Sequence, residues 1–418
     1  MSIRALLRRV PRRGHLCQTL LPRFQAPHAH LREMSNLTSS ESMGDGGPSP
    51  GLKFCGKGGE DVGDGSGWER EVSVLDKEEG WRRMSARLPE ANVHGPNKIY
   101  SMYSSVLGGV VTDPSLFVVP IDDHIFHRGH GIFDTLNISD GNVYGLDFHL
   151  DRLMSGAKLA RIDLSKAKFL GCTSDEREQK ARLRAILLRT VAASGQRNHV
   201  FCRYWLSVGR GDFNITPTRC IGGCVFYVVV HERLAPKNQE ESDKGFTIRE
   251  NTVSIPFKDK LLATIKSTNY LVNALCAQEA QEKTGTGTSQ GLQLDENGNL
   301  AEFAIGAVAI VDKNGVIRSP KQDRILPSTT LNRAFELVQE NLIPQGLVTG
   351  VEFSDITKEE AYMAKEMLAF GGGTIRAVVE LDKKTIGDGT PGPVAMALRG
   401  LLTKELKESE FVDEIPYI

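Results

Sequence analysis

The sequence predicts an α+β fold, with a small α+β domain followed by a larger, barrel-like mixed domain. Three observations lead there. From about residue 98 to 407, short β-rich runs punctuated by Gly, Asn and Asp turns alternate with helical patterns. A polar stretch at 234–245 divides that body into two halves. Apolar residues make up 40% and charged residues 25%, the balance of a globular chain with a substantial core.

The chain has 418 residues. Residues 1–32 carry Arg4, Arg8, Arg9, Arg12, Arg13, Arg23 and Arg32 but no Asp or Glu. That composition, with interspersed Leu, is that of an organelle transit peptide. Plastid and mitochondrion are both open. Only Ser2 and Thr19 carry hydroxyls, so composition leans to the mitochondrion. Residues 33–97 read as a disordered linker, because ten glycines fall within 44–67 and little apolar surface is present to offset chain entropy. A short helix fits 68–88, ending before Pro89.

The first half, 98–233, begins with strands at 104–111 and 116–121 around Thr112-Asp113-Pro114. A hairpin follows, 131–138 and 143–146, turning at Asp140-Gly141-Asn142. Helical spacing puts Leu150, Leu153, Ala157 and Ala160 on one face of 149–160, and Leu183, Ile186, Leu187 and Thr190 on one face of 182–193. Strands at 199–208 and 223–231 close the half. The second half, 234–407, predicts strands at 246–254, 292–295, 299–302, 307–312 and 377–381. It predicts helices at 269–283, 329–341 and 394–407. Residues 408–418 read as a tail.

Some functions are excluded early. A formal net charge of −1 disfavours a nucleic-acid partner. No apolar run is long enough to form a membrane-spanning helix. Seven scattered cysteines make no disulfide framework, and Cys220 and Cys224 read as buried thiols rather than metal ligands. No P-loop, nucleophile elbow or zinc pattern is present, so no metal is expected.

The informative segment is Thr264-Ile265-Lys266-Ser267-Thr268-Asn269-Tyr270-Leu271. A lone lysine is more often at the surface, but a buried one loses its proton more readily and becomes a nucleophile. This run resembles the lysine motif of fold-type IV pyridoxal-phosphate (PLP) enzymes, the class IV aminotransferases and their relatives. Other pieces stand in that family's order. His127-Arg128-Gly129-His130-Gly131-Ile132-Phe133-Asp134-Thr135 resembles its glycine motif, and His149-Leu150-Asp151-Arg152-Leu153 its phosphate-arginine helix. Leu300-Ala301-Glu302 resembles its glutamate strand, and Ile325-Leu326-Pro327-Ser328-Thr329-Thr330 its phosphate-binding helix start. Gly387-Asp388-Gly389 with Gly392-Pro393 resembles its C-terminal turn. The run 203–207 and Gly209-x-Gly211-Asp212-Phe213 are similar to plant D-amino-acid aminotransferase-like and aminodeoxychorismate lyase-like proteins.

The resemblance implies a two-domain D-amino-acid aminotransferase-like fold, with PLP bound by the larger domain, and a homodimer. It implies that Lys266 bonds PLP and then moves a proton at the substrate carbon. Glu302 would face the pyridine nitrogen. Arg152 would grip the phosphate through a forked contact, Thr329 and Thr330 would receive it at a helix start, and Leu326 would pack on the ring. Arg203 would recognise a dicarboxylate co-substrate or sit in a structural ion pair. The implied reaction moves an amino group from an amino acid, such as D-alanine, to a 2-oxo acid. Aminodeoxychorismate lyase, branched-chain transamination and a degenerate, non-catalytic protein stay open. The last draws on Phe303-Ala304-Ile305-Gly306-Ala307, which offers no hydrogen-bonding side chain where relatives carry small polar ones.

Overall fold

The first element described in the computed structural model is a helix, α1 (Lys77–His94). The structure describes residues 73–233 and 244–417. The expected transit peptide and the glycine-rich stretch lie outside the described residues, as does most of the polar bridge at 234–245. Within the expected linker, α1 runs through Pro89 rather than ending before it. Asp76 caps its start by accepting the Glu79 N–H. Asn92 ties its last turn to the body by exchanging two hydrogen bonds with the Ile99 backbone.

Strands β1 (Ile99–Ser104), β2 (Gly109–Val111), β3 (Gly131–Ser139), β4 (Asn142–Tyr144), β5 (Val200–Ser207) and β6 (Val225–Glu232) belong to the first sheet. The run expected as one strand at 104–111 is a hairpin instead, turning at Gly108 with φ +74°. No strand forms at 116–121. Asp113 accepts the Ser115 N–H and hydroxyl, and with Pro114 at the first position this closes a short 3-10 turn. Helices α2 (Leu146–Leu159) and α3 (Glu176–Ser194) cover one face of the sheet. The two-residue period decides what points where. Ile132, Leu136 and Ile138 of β3, with Cys202, Tyr204 and Leu206 of β5, are buried with Leu150, Leu153, Leu183 and Leu187 of the helices. Phe133, Thr135 and Asn137, with Phe201 and Arg203, line a cavity on the opposite face.

The second half carries β7 (Thr247–Glu250), β8 (Leu292–Leu294), β9 (Leu300–Phe303), β10 (Ala307–Val311), β11 (Val316–Ser319), β12 (Gly350–Phe353), β13 (Glu366–Gly371), β14 (Thr374–Leu381) and β15 (Lys384–Thr385). Helices α4 (Leu271–Thr284), α5 (Thr329–Leu337) and α6 (Pro393–Glu408) complete it. The sheet order is β12-β11-β10-β13-β14-β15, with β7 beside β14. The pairs β11–β12 and β14–β7 are parallel and the others antiparallel, so the sheet is mixed. Leu331, Ala334, Leu398 and Leu402 of α5 and α6 cover one face. Leu292, Leu300 and Phe303 of the β8–β9 pair cover the other, against Val308, Ile310 and Val378. Burial on both faces is why β10 reads as an unbroken apolar run.

The expected tail forms a strand, β16 (Val412–Glu414). It pairs with β4 and gives the first sheet the order β16-β4-β3-β5-β6-β1-β2. Arg184 pairs with Asp413, Ile415 is buried, and the Tyr417 hydroxyl donates to the Gln196 carbonyl at 2.6 Å. The cysteines among the described residues are free, and Cys224 is buried.

Helix α6 is anchored by one carboxylate. Glu366 is buried and accepts the N–H groups of Val394 at 2.9 Å and Ala395 at 2.8 Å. These are amides of the first helical turn, which have no partner inside the helix. Glu366→Ala leaves both buried and should cost about 2 kcal/mol. Urea unfolding, read as a lower midpoint at unchanged slope, checks this.

Candidate active site

A cavity of about 820 Å³ is lined by Lys266, Arg152, Glu302, Leu326, Thr329, Thr330 and Arg203 together. These residues come from both halves of the sequence. Helix α2, strands β5 and β9, the segment before α4 and the start of α5 bring them to one place.

Lys266 is held by backbone pairing. The Phe133 N–H donates to the Lys266 carbonyl at 2.9 Å, and the Thr268 N–H donates to the Gly131 carbonyl at 2.9 Å. The Thr268 hydroxyl and the Asn269 side-chain amide both donate to the Gly129 carbonyl, at 2.9 and 3.0 Å. The lysine segment is thereby fixed to the start of β3. The Lys266 Nζ lies 3.3 Å from the Tyr270 hydroxyl and 4.9 Å from the centre of the Phe133 ring. Burial brings its ammonium down to about 8 against the attraction of Asp134, with Arg152 pressing the same way as burial.

Arg152 does not present its fork to the cavity. Its Nε and Nη2 grip the buried Asp134 carboxylate at 2.9 and 2.7 Å. His149 Nδ1 lies 3.1 Å from the same carboxylate. Burial alone would raise the Asp134 carboxyl, but Arg152 and then His149 hold it far below the usual carboxylate range. Arg152 Nη1, 3.3 Å from the Pro327 carbonyl, stays beside the approach to α5. There Ser328, not Thr329 or Thr330, caps the helix by accepting the Leu331 N–H. Thr330 Oγ1 accepts the Gly373 N–H at 3.0 Å. Among the described residues, nothing accepts the N–H groups of Thr329 and Thr330.

Glu302 sits at the end of β9 with its side chain 8% exposed. One oxygen accepts the Leu326 N–H at 3.0 Å. Burial pushes its carboxyl up to about 7, with Lys258 the foremost of the groups pulling it down. Arg203 donates to Thr135 Oγ1 at 3.1 Å and has no carboxylate partner among the described residues. That absence argues against the structural ion pair, and burial lowers the Arg203 pKa.

Several contributors were not singled out from the sequence. Asp134 lies inside a quoted motif, but its role as the holder of Arg152 depends on its contact with α2. Arg233, which donates to Asn137 Oδ1 at 2.8 Å, lines the cavity from the end of β6. Asn273 also lines it, and its buried Oδ1 has no partner. Phe303 to Ala307, which offer no hydrogen-bonding side chain, line the cavity together with Gly371-Gly372-Gly373.

The sequence from residue 131 to 381 matches the family described as amino-transferase class IV. It is 36% identical to the chloroplastic D-amino-acid transaminase of Arabidopsis thaliana over 75% of this chain and 78% of that protein. It is 26% identical to a D-alanine aminotransferase of Bacillus licheniformis over 72% and 96%. Among solved structures, it resembles the branched-chain amino acid aminotransferase from Thermobaculum terrenum in its PLP form. The TM-score is 0.59 at 20% identity, covering 75% of this chain and 95% of the other. The fold is that shared architecture, and with residues gathered from both halves around one lysine, the chain belongs to the class IV aminotransferases.

Proposed function

We propose that this aminotransferase binds PLP and passes the amino group of a D-amino acid, such as D-alanine, to a 2-oxo acid. One observation carries the reading: Lys266, Glu302, Arg152 and the free amides opening α5 converge on one cavity. That set of groups suits a phosphorylated pyridine aldehyde. The Thr329 and Thr330 amides, at the positive end of a helix, with Arg152 Nη1 beside them, would hold the phosphate. Glu302 would face the ring nitrogen, Leu326 a ring face, and Lys266 the aldehyde carbon. PLP, when bound, supplies an electron sink for charge left at the substrate carbon. Lys266 takes and returns the proton there, and Tyr270, 3.3 Å away, orients its amine. Arg203, with no carboxylate partner among the described residues, would receive the second carboxylate of a 2-oxo dicarboxylic acid. The chloroplastic D-amino-acid transaminase supports the D-specific reading over the branched-chain one.

A homodimer belongs to the same proposal. Phe126, in the one-turn helix His124–His127, and Phe213, Ile215 and Ile221, on the loop after β5, are exposed on two segments joined through Asp123, Arg210 and Ile221. Exposed apolar clusters of this kind mark contact surfaces. We also propose that residues 1–32 direct the chain to an organelle, with the chloroplastic relative favouring the plastid over the mitochondrion that composition alone suggests. A fluorescent reporter carrying residues 1–97 should accumulate in plastids, and cytosolic fluorescence would overturn targeting.

The function is tested by incubating the purified protein with PLP, D-alanine and 2-oxoglutarate. Pyruvate should form, and L-alanine should give far less. Lys266→Ala should lose the visible absorbance of the PLP-loaded protein and at least about 10³-fold in rate. Pyruvate from aminodeoxychorismate without any acceptor would point to the lyase instead. The rate of PLP capture has its own signature. Only the neutral amine attacks, and the folded protein lowers the Lys266 pKa to about 8. Capture should therefore quicken about fivefold from pH 7 to 8 and level off above about 9. Stopped-flow absorbance checks it.

A further inference from the structure

A second buried lysine stands behind Glu302. The Lys258 side chain is 4% exposed, and its Nζ lies 4.0 Å from Glu302 Oε2. Among the described residues it makes no hydrogen bond and meets no other carboxylate. Aromatic rings also surround it, with the Tyr270 ring centre at 5.3 Å and that of Phe257 at 5.9 Å, and Cys276 of α4 and Lys266 are further titratable neighbours. Oε2 in turn accepts no hydrogen bond from the described residues, while Oε1 is occupied by the Leu326 N–H.

That arrangement is poor for stability. Two charges have left water, and neither gains a close, hydrogen-bonded contact from the other, so an apolar pair of similar size would hold the fold as well or better. What the pair does provide is charge at a distance. An ammonium 4.0 Å away in an apolar setting favours the ionised carboxylate without occupying the oxygen's lone pairs. Oε2 is thereby left charged and free to accept.

We infer that Lys258 is a positioning residue that keeps Glu302 ionised and open to a cationic N–H donor in the cavity. The inference rests on the PLP reading, in which that donor is the ring nitrogen. A neutral Glu302 could offer a proton to a ring nitrogen but could not hold it in the charged form. The charged and titratable groups facing Glu302 are Lys258 from the loop before residue 260, Lys266 and Tyr270 from the segment before α4, and Arg152 from α2. Lys258 is the foremost of the groups favouring ionisation, and burial opposes it. The same burial lowers the Lys258 pKa, and the Glu302 carboxylate opposes that. Each charge therefore sustains the other.

The test reads the carboxyl group directly. Infrared spectra of the parent protein and its Glu302→Gln variant, recorded across a pH series before PLP is added, isolate the protonated C=O band of Glu302 by subtraction. In the parent the band should be absent at pH 8.5. Lys258→Met, paired with its own Glu302→Gln double variant, should retain the band there, with the midpoint raised by at least about one pH unit. Lys258→Arg should restore the parent midpoint. PLP retention by equilibrium dialysis at pH 8 should fall at least about tenfold in Lys258→Met and recover in Lys258→Arg.

A protonated Glu302 in the parent at pH 8.5 would overturn the inference without any lysine variant, so poor folding of Lys258→Met cannot shelter it. An unmoved midpoint in a folded Lys258→Met would overturn it as well. Failure of the PLP reading would look different: the parent would take up no PLP, whatever the infrared midpoints.

Discussion

The active site depends on the short backbone pairing that fastens residues 266–268 to residues 129–133. It joins the first sheet to the second half of the chain at the point where Lys266 stands. Gly129 takes φ +61° there, and an added Cβ would collide with the Asn269 side chain that donates to its carbonyl. Glycine is required by both the backbone angle and the neighbour. Because the lysine is fixed by main-chain hydrogen bonds, its own side chain is spared any structural duty. Phe133, the next residue but one after Gly131, is aimed by the same pairing at the lysine it flanks.

Around that joint the protein gathers charges that would cost dearly if left alone. Asp134 is buried and bound by Arg152 and His149, a cluster that fixes the guanidinium and leaves Nη1 beside Pro327. Glu302 and Lys258 form a looser pair that also neighbours Lys266. The two pairs differ in kind. One is saturated with hydrogen bonds, while in the other Glu302 Oε2 accepts none from the described residues. Arg203 is a third kind, a half-buried cation with a hydroxyl partner and no carboxylate partner among the described residues.

Much of this was legible in the sequence, because local rules and global packing agree. The periodicities of 149–160 and 182–193 match α2 and α3, since each covers one face of one sheet. All seven singled-out residues line one cavity, because the resemblance carried information that spacing does not. Three central features were hidden. The strand Glu366–Gly371 is only six residues long, opens on a charge, and owes its place to partners β10 and β14 distant in sequence. The 3-10 turn at Pro114–Leu116 arises where capping by Asp113 outweighs the β-rich composition that follows. Lys258 reads as an ordinary polar residue in a loop, and only the fold reveals that β9 and α4 enclose it. The fork of Arg152 shows the same limit, since nothing local says that its partner is Asp134.

The return of Val412–Glu414 to the edge of the first sheet has a consequence for how the chain is made. β4 emerges from the ribosome about 270 residues before the strand that pairs with it. Throughout elongation, that edge presents unpaired N–H and C=O groups, a surface open to wrong partners. Arg184 waits 229 residues for Asp413. The first half is thus translated early but finished late, because its β4 edge gains its partner only when residues 412–414 are made.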